Sequence, residues 1–404
     1  MKKYIFLISL SIFLILLFFC YPTKKNKEII TLFNWGEFID NEVIEEFNKK
    51  DPYFEVKQSF FVSNELAINK IKTGNIYDIV ILSEYAIEQL KKDNYLTKLF
   101  LGSGGLLFDE SKLTLNNFLS NILKKSTFGE IFYNNKVNQT NGFYAIPYVW
   151  GNVGLLYNKK IIKSMNMEIK DWRNILKNPE IKISLYNNPK DVLFIGLKAT
   201  NCDNKDIKNP SDEQIKKAKE WLIELKKNNS QLSFITDQIL DNMKEKNNER
   251  YDISLVYSGD ATFLKEKNDN LDYYTFDNED EINKGTNIWI DGIVFPKNSN
   301  IKGAYKFINF LFNKDQLEKN YNYIKYDSPY SDKQTINNNL NEKQCVIYHY
   351  DKELNKKIFD AWYEIYSSSI RSDKWLFFFS FLIIIFILLF NLFFYYSKKK
   401  LNPI

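Results

Sequence analysis

Histidine and cysteine are scarce in this chain of 404 residues, which has one histidine and three cysteines. A serine hydrolase triad would have to use His349, and zinc or iron sites built on several histidines are excluded. The cysteines form no CxxC pair. Cys202 and Cys345 can pair in a disulfide or remain two unpaired small hydrophobic residues, and the sequence leaves both alternatives open.

A basic excess is also lacking in the central part of the chain, although the net charge is +5. Eight of the 55 lysines and arginines lie before residue 28 or after residue 374, and these two ends hold no acid. Residues 28–374 therefore carry 47 basic and 50 acidic groups, a net charge of −3. Nucleic-acid binding needs a basic face for phosphate contacts, so no nucleic-acid partner is expected.

Residues 1–27 form the first of two apolar segments. Two lysines precede an apolar run from Tyr4 to Tyr21, and three more lysines follow it. This pattern is typical of an uncleaved signal anchor or of a cleaved signal sequence. A lipoprotein interpretation of Cys20 is also open, but Phe19 stands where a small residue is expected.

Residues 375–396 form the second apolar segment and are predicted to be a transmembrane helix. The run from Leu376 to Phe394 holds 19 almost wholly apolar residues, and a helix of that length spans a hydrocarbon core of about 30 Å. Residues 397–404 are a basic tail, which the positive-inside rule places in the cytoplasm. The body between the two segments is therefore expected outside the cell, at the cell membrane.

The first third of the body alternates between predicted strands and helices. "IITLFNW", "YFEVKQSFF" and "YDIVIL" have the pattern of buried strands, and an amphipathic helix follows each of them. Asp40 is a candidate N-cap of the first helix, and Asn64 or Ser63 of the second. Such alternation predicts an α/β fold, with a parallel sheet covered by helices on both faces.

A second set of elements begins near residue 144. Pro147 is predicted to break the chain, and "VGLLYN" restarts it as a strand. In "IKISLYNNPKDVLFIGLKAT" a strand leads into a helix, where Asn188 fits the N-cap. Asp191 then lies in the first turn, where its carboxylate balances the helix dipole.

Polar and aromatic residues cluster where strands end. Trp35 and Glu37 follow the first strand, and Ser83, Glu84 and Tyr85 follow the third. In open α/β sheets, ligands bind at the carboxyl ends of the strands. Each of these residues alone is equally compatible with a cap or a turn, so the cluster rather than any one residue indicates a ligand crevice.

The stretch "GTNIWIDGIVFPKN" places one carboxylate in a run that otherwise has the pattern of a buried strand. Side chains alternate along a strand, so Trp289 and Asp291 share a face. Alone, such an acid is typical of a core residue satisfied by a backbone amide or a hydroxyl. Beside aromatic residues at other strand ends, the pair indicates one wall of a cation-binding site.

Five motifs in this order resemble the extracellular spermidine/putrescine-binding proteins of ABC importers: "TLFNWGEFI", "YDIVILSEY", "YAIPYVWGNVGLLYN", "WIDGIVFPKN" and "GAYKFINFLF". The resemblance covers roughly residues 29–370. It implies a two-lobed periplasmic-binding-protein-like fold of type II, with crossovers near Tyr144 to Tyr148 and near Tyr257 to Asp260, between the two hydrophobic helices. The lobes implied are residues 28–144 with 258–305 and residues 145–257 with 306–372.

The resemblance also implies an aromatic box whose carboxylates are spaced along an alkyl diamine clamped between the lobes. The ligand-binding residues it implies are Trp35, Gly36, Glu37, Phe38, Ser83, Glu84, Tyr85, Asn188, Asp191, Tyr257, Trp289, Asp291 and Tyr326, with Tyr330 as the alternative to the last. Two positions depart from the family pattern, because Asn188 replaces an acid and Phe38 replaces a tyrosine. Glu84 is the candidate for the missing carboxylate.

The function implied is that of a receptor that binds spermidine, putrescine or both and delivers the ligand to ABC permease subunits coupled to an ATPase. No catalytic residue, cofactor or metal is expected. One alternative is a binding protein for a ferric ion, an amino acid or an opine, with Tyr273 and Tyr274 as the adjacent tyrosines of a ferric site. A more distant alternative is a surface hydrolase that pairs Glu37 or Glu84 with Asp291.

Overall fold

The computed structural model describes residues 26–100, 114–124, 127–134, 142–235, 238–276, 284–331, 345–368 and 381–391. The strands are β1 (Glu28–Asn34), β2 (Phe54–Phe60), β3 (Ile79–Ser83), β4 (Ala145–Asn158), β5 (Ile183–Tyr186), β6 (Leu232–Ile235), β7 (Ile253–Tyr257), β8 (Leu271–Tyr274), β9 (Thr286–Val294) and β10 (Cys345–Val346). The α-helices up to residue 207 are α1 (Asn41–Lys50), α2 (Asn64–Lys72), α3 (Glu84–Lys92), α4 (Asn117–Lys124), α5 (Lys159–Ser164), α6 (Trp172–Lys177), α7 (Pro189–Ala199) and α8 (Asn204–Ile207). Those that follow are α9 (Asp212–Asn228), α10 (Ile239–Met243), α11 (Ser258–Lys267), α12 (Ile301–Leu311), α13 (Lys314–Ile324) and α14 (Lys352–Ser367).

The strands form one mixed sheet in the order β2-β1-β3-β9-β4-β7-β5-β6, with β10 beside β9 and β8 beside β4. β1 pairs in parallel with β2 and β3, and β5 pairs in parallel with β6 and β7. The antiparallel strands β9 and β4 join these two parallel groups. The strand and helix alternation predicted for the first third of the body is confirmed from β1 to α3.

Strand β4 belongs to both groups. Its residues 145–152 pair with β9, and residues 153–158 pair with β7 and β8. We define the first half of the sheet as β2, β1, β3, β9 and residues 145–152, and the second half as residues 153–158, β7, β8, β5 and β6. The prediction that Pro147 breaks the chain was wrong. The strand register shifts between Pro147 and Val149, and this irregularity accommodates a residue that has no N–H to donate.

The chain crosses from the first half to the second along β4 and returns between β8 and β9. Because β8 still pairs with Leu155–Asn158, the return lies after Tyr274 and not near Tyr257 to Asp260, where it was predicted. Helix α11, which follows Tyr257 directly, packs on β4, β7 and β8 without leaving the second half. The exact lobe boundaries stay predictions.

Helix caps settle the roles of several polar residues near the strand ends. The Asp40 side chain accepts a hydrogen bond from the Glu42 N–H, as an N-cap of α1 should. Ser63, and not Asn64, caps α2. Asn188 caps α7 by accepting from the Lys190 N–H. The Asn64 side chain is therefore available for contacts outside α2.

Helix α14 packs against α7 and α9, which both belong to the second half. Lys219 and Glu364 form an ion pair of 2.6 Å across this contact. Residues 381–391 are helical, with mostly exposed side chains. Among the helices that the structure describes, none combines the length and the apolar character needed to cross a membrane.

The predicted terminal segments lie largely outside the described residues. This holds for residues 1–25 of the N-terminal segment, for both ends of the predicted helix 375–396 and for the whole tail 397–404. Cys20 lies there too. Cys202 and Cys345 are buried and are not joined by a disulfide, so of the two alternatives the one without a disulfide is observed. Burial raises the pKa of the Cys202 thiol to about 11, as expected for an unreactive core cysteine.

Candidate functional site

Asp291 lies in β9 between β3 and β4, opposite Ser83 on one side and Val149 on the other. Its side chain is 3% exposed, and its Oδ1 atom has no hydrogen-bond partner in the described part of the chain. Burial raises the pKa of Asp291 to about 7, and the neighbouring Ser83 hydroxyl and Trp35 indole oppose that rise. A buried carboxylate oxygen without a partner is unfavourable, so this position is suited to a cation.

Aromatic rings line the same region. The Trp289 ring lies edge to face against Tyr257 at 5.5 Å and against Tyr326 at 5.2 Å, measured between ring centroids. Phe38 lies 5.4 Å from Tyr326. Tyr326 fits because Gly259 faces its ring, where any Cβ atom would overlap it. These residues form a continuous apolar wall with π faces.

Two tyrosines of this wall bind carboxylates. The Tyr257 hydroxyl donates to Asp191 Oδ2 at 2.5 Å, and the Tyr326 hydroxyl donates to Asp260 Oδ1 at 2.9 Å. Tyr186, which stacks on Tyr257, also donates to Asp260. Burial raises the pKa of Asp191 to about 6, although the Tyr257 hydrogen bond favours its ionised form. The second half thus brings one buried acid to the site through α7.

Glu84 supplies a third buried acid, in the first turn of α3. Its Oε2 accepts a hydrogen bond from the Ile290 N–H at 3.1 Å. Burial raises the pKa of Glu84 to about 8, and the charge of nearby Asp291 adds to the rise. Two carboxylates that repel each other in a buried site favour a cation between or beside them.

Asn64 holds the Ser83 and Tyr85 side chains in place and was missed as a site residue. Its Nδ2 donates to Ser83 Oγ at 3.1 Å and to the Tyr85 hydroxyl at 3.0 Å. Its Oδ1 accepts from the Ser83 N–H at 3.2 Å. From the sequence Asn64 was equally suited to cap α2, and only the position of β3 shows its role.

Three predicted site residues are exposed to solvent or engaged in another contact. Gly36 and Glu37 are exposed in the turn after β1, where Glu37 has a φ of 55° in the left-handed region. The Asn188 side chain is engaged as a helix cap at 3.0 Å from the Lys190 nitrogen. The alternative residue Tyr330 donates to the Pro147 carbonyl at 2.6 Å, whereas Tyr326 is the one beside Trp289.

Lys190 is a buried cation that the sequence reasoning missed. Its Nζ donates to Asn355 Oδ1 at 2.9 Å and lies 4.4 Å from the Tyr85 ring centroid and 5.1 Å from that of Tyr348. Burial lowers the pKa of Lys190 to about 8, against the charges of nearby acids, Glu84 first among them. The one sign of this role in the sequence was that Lys190 lies between the predicted site residues Asn188 and Asp191.

The predicted residues that the structure brings together come from both halves of the sheet. They are Trp35, Phe38, Ser83, Glu84, Tyr85, Asp191, Tyr257, Trp289, Asp291 and Tyr326. The arrangement offers carboxylates, aromatic faces and apolar surface in one place. Such a site can hold an elongated cation.

The family model for bacterial extracellular solute-binding proteins matches residues 42–333, well over half of the chain. This chain belongs to that family. Its members are binding proteins, so the chain is a solute receptor and not an enzyme. The hydrolase alternative, with Glu37 or Glu84 paired to Asp291, is therefore not favoured.

Individual relatives agree with this assignment. The spermidine/putrescine-binding periplasmic protein of Salmonella typhimurium is 24% identical over 316 residues, which cover 76% of this chain and 78% of that protein. The structure of a spermidine/putrescine ABC transporter substrate-binding protein from Streptococcus pneumoniae has a TM-score of 0.60 at 24% identity, covering 85% of this chain and all of that one. A lipoprotein of Treponema pallidum has a TM-score of 0.62 at 15% identity, covering 84% and 99%. The predicted α/β periplasmic-binding-protein-like fold is confirmed.

Proposed function

We propose that this protein is the substrate-binding receptor of an ABC importer and that it binds a polyamine, spermidine or putrescine, in the site around Asp291. The observation that carries the proposal is the buried Asp291 carboxylate, whose Oδ1 has no partner among the described residues. The Trp35 indole lies beside this carboxylate, Trp289 precedes it by two positions in β9, and both indole nitrogens are buried. An ammonium group at this position would satisfy the acid.

The chemistry of a polyamine matches the rest of the site. Ammonium groups need carboxylates when they are removed from water, and Glu84, Asp191 and Asp291 are buried there. The methylenes between the nitrogens gain about 0.8 kcal/mol each on burial. Rings such as Trp289 and Tyr257 offer that apolar surface and a cation–π face worth roughly 0.5–2 kcal/mol.

Ligand binding also gives a reason for the lobes to close. Asp291 belongs to the first half of the sheet and Glu84 to α3, which packs on it, whereas Tyr257 belongs to the second half and Asp191 to α7, which packs on that half. A ligand that contacts both sets binds the closed form better than an open one, and this difference in affinity drives closure. We propose that the closed form then delivers the ligand to permease subunits, which an ATPase powers.

The ferric alternative lacks support from the tyrosine pair that suggested it. Tyr273 donates to Asn152 Oδ1 at 2.9 Å, whereas the ring of Tyr274 packs on Phe276. Adjacent residues of a strand face opposite sides, so the two hydroxyls do not converge. Across the described ranges, no group of three or more acidic, histidine or cysteine side chains is arranged to hold a metal ion.

Titration calorimetry of the full chain in detergent tests the proposed function. We expect saturable binding of putrescine, spermidine or both, with a Kd of about 1 µM or below, which corresponds to about −8 kcal/mol. Arginine and ferric citrate serve as comparison ligands and should give no saturable heat. Failure of both polyamines to bind, or binding of ferric citrate alone, would overturn the proposal.

We propose further that the body is held at the outer side of the cell membrane by residues 375–396, by residues 1–27 or by both. The support is the length and apolar character of these segments together with membership of an extracellular family. Alkaline carbonate extraction of membranes from cells that express the full chain tests this anchoring. The protein should stay in the pellet, and its release into the supernatant would contradict the proposal.

A further inference from the structure

Lys190 places a buried ammonium in the first turn of α7, where the helix dipole disfavours a cation. The residue is only 5% exposed. Burying an ammonium costs several kcal/mol unless its surroundings compensate for the lost water. The helix dipole therefore does not stabilise this buried ammonium, so the groups around it must do so.

Those groups form an ammonium-binding position. Tyr85 and Tyr348 present ring faces to Nζ at 4.4 and 5.1 Å, and Asn355 Oδ1 accepts its hydrogen bond at 2.9 Å. Of the acids whose charge favours the protonated lysine, Glu84 acts most strongly. Aromatic faces, an oxygen acceptor and nearby carboxylates are what a protein offers to a ligand ammonium. Here a side chain of the protein itself takes that place.

The lysine also changes the charge that a ligand must match. The buried acids Glu84, Asp191 and Asp291 carry three negative charges when ionised, and Lys190 offsets one of them. Among these fully buried groups, two negative charges remain. A diamine such as putrescine carries two ammonium groups, whereas a triamine such as spermidine carries three. The third would be buried without a carboxylate of its own, which is costly.

We infer that the Lys190 ammonium occupies one cation position of the site and thereby selects a diamine over a triamine. The inference rests on the proposed polyamine function and names the ligand within that class. Tyr85 lies in α3, which packs on the first half of the sheet, and Lys190 lies in α7, which packs on the second, so their contact also connects the halves. Specificity arises here from an occupied position, which rejects the longer ligand.

Calorimetry of the full chain with putrescine and spermidine tests the inference. The native protein should bind putrescine at least about tenfold more tightly than spermidine. Lys190→Met should shift the ratio of the two affinities toward spermidine by about tenfold or more, because the position and its carboxylates become open to a third ammonium. Lys190→Arg keeps the charge and should keep the preference for putrescine.

Lys226→Met is the matched control. Lys226 Nζ also lies over two rings, 5.2 Å from the centroids of Phe234 and Tyr366, and donates to the Ile365 carbonyl at 3.1 Å, but it belongs to the contact between α9 and the end of α14. Removing it should leave the affinity ratio as in the native protein. An equal shift in this variant would show that any lost lysine has the effect, and would overturn the inference.

The outcomes separate the inference from the proposed function. If neither amine binds to any of the proteins, the polyamine function itself fails. If both bind and Lys190→Met leaves their affinity ratio unchanged, the function stands and the role of Lys190 is refuted. Should Lys190→Met not fold, the native protein decides the matter, because tighter binding of spermidine than of putrescine contradicts selection of a diamine and the reverse supports it.

Discussion

Replacing Asp291 with asparagine will weaken putrescine binding by about 100-fold or more. Asparagine keeps the shape of the side chain but removes the charge that faces the ligand ammonium. Breaking a buried ion pair costs about 3–5 kcal/mol, which corresponds to roughly two to four orders of magnitude in Kd. Calorimetry of the native protein and of Asp291→Asn measures the difference directly.

Asp269→Asn is the control for this substitution. Asp269 lies between α11 and β8 and forms an exposed ion pair of 2.6 Å with Lys246. Its substitution should leave the affinity for putrescine unchanged. Both variants should retain the native circular dichroism spectrum. An Asp291→Asn protein that folds and binds putrescine as tightly as the native protein would show that Asp291 does not contact the ligand.

Putrescine affinity will rise as the pH increases from 5.5 to 8. In the ligand-free protein the pKa values of Asp191, Asp291 and Glu84 are raised to about 6, 7 and 8. A bound dication favours the ionised acids, so binding below these pKa values must release protons. Each acid that ionises on binding reduces the affinity by up to about tenfold per pH unit below its pKa. Titrations in two buffers of different ionisation enthalpy count the protons released.

The stability of the ligand-free protein should change in the opposite direction. An acid whose pKa is higher in the folded state stabilises the fold at low pH, and this contribution is lost as the pH rises through the folded-state pKa. The pKa of Lys190 is lowered to about 8, so its penalty is complete below that pH and relaxes only above it. Thermal melts should therefore show a Tm that falls between pH 5.5 and 8. The fall should be smaller in Asp291→Asn, and an equal fall would contradict the raised pKa of Asp291.

The sequence was sufficient for elements whose pattern is local. The alternation from β1 to α3 follows from the spacing of apolar residues and from caps such as Asp40, and the structure contains it. The combination of Trp289 and Asp291 on one face of a strand was also visible, because side chains alternate along a strand. Asp291 alone had the pattern of a satisfied core acid, and only the aromatic residues at other strand ends indicated a binding site. Residues of this kind can be recognised from their neighbours in the sequence.

Features that depend on distant contacts could not be predicted in this way. Lys190 had the pattern of an ordinary helix lysine, because its partners Tyr85, Tyr348 and Asn355 lie far away in sequence. Proline usually interrupts a strand. Only the register shift against β9 shows how β4 tolerates Pro147. In each case the decisive physical fact is the neighbour that folding supplies.

The two ends of the described body lie on different halves of the sheet. Strand β1 belongs to the first half, whereas α14 is fastened to the second half through α7 and α9. Where residues 375–396 alone are the proposed anchor, the second half of the sheet is held at the cell surface and the first half moves when the lobes close. A permease next to the anchored half would then detect the bound ligand mainly through the changed position of the first half.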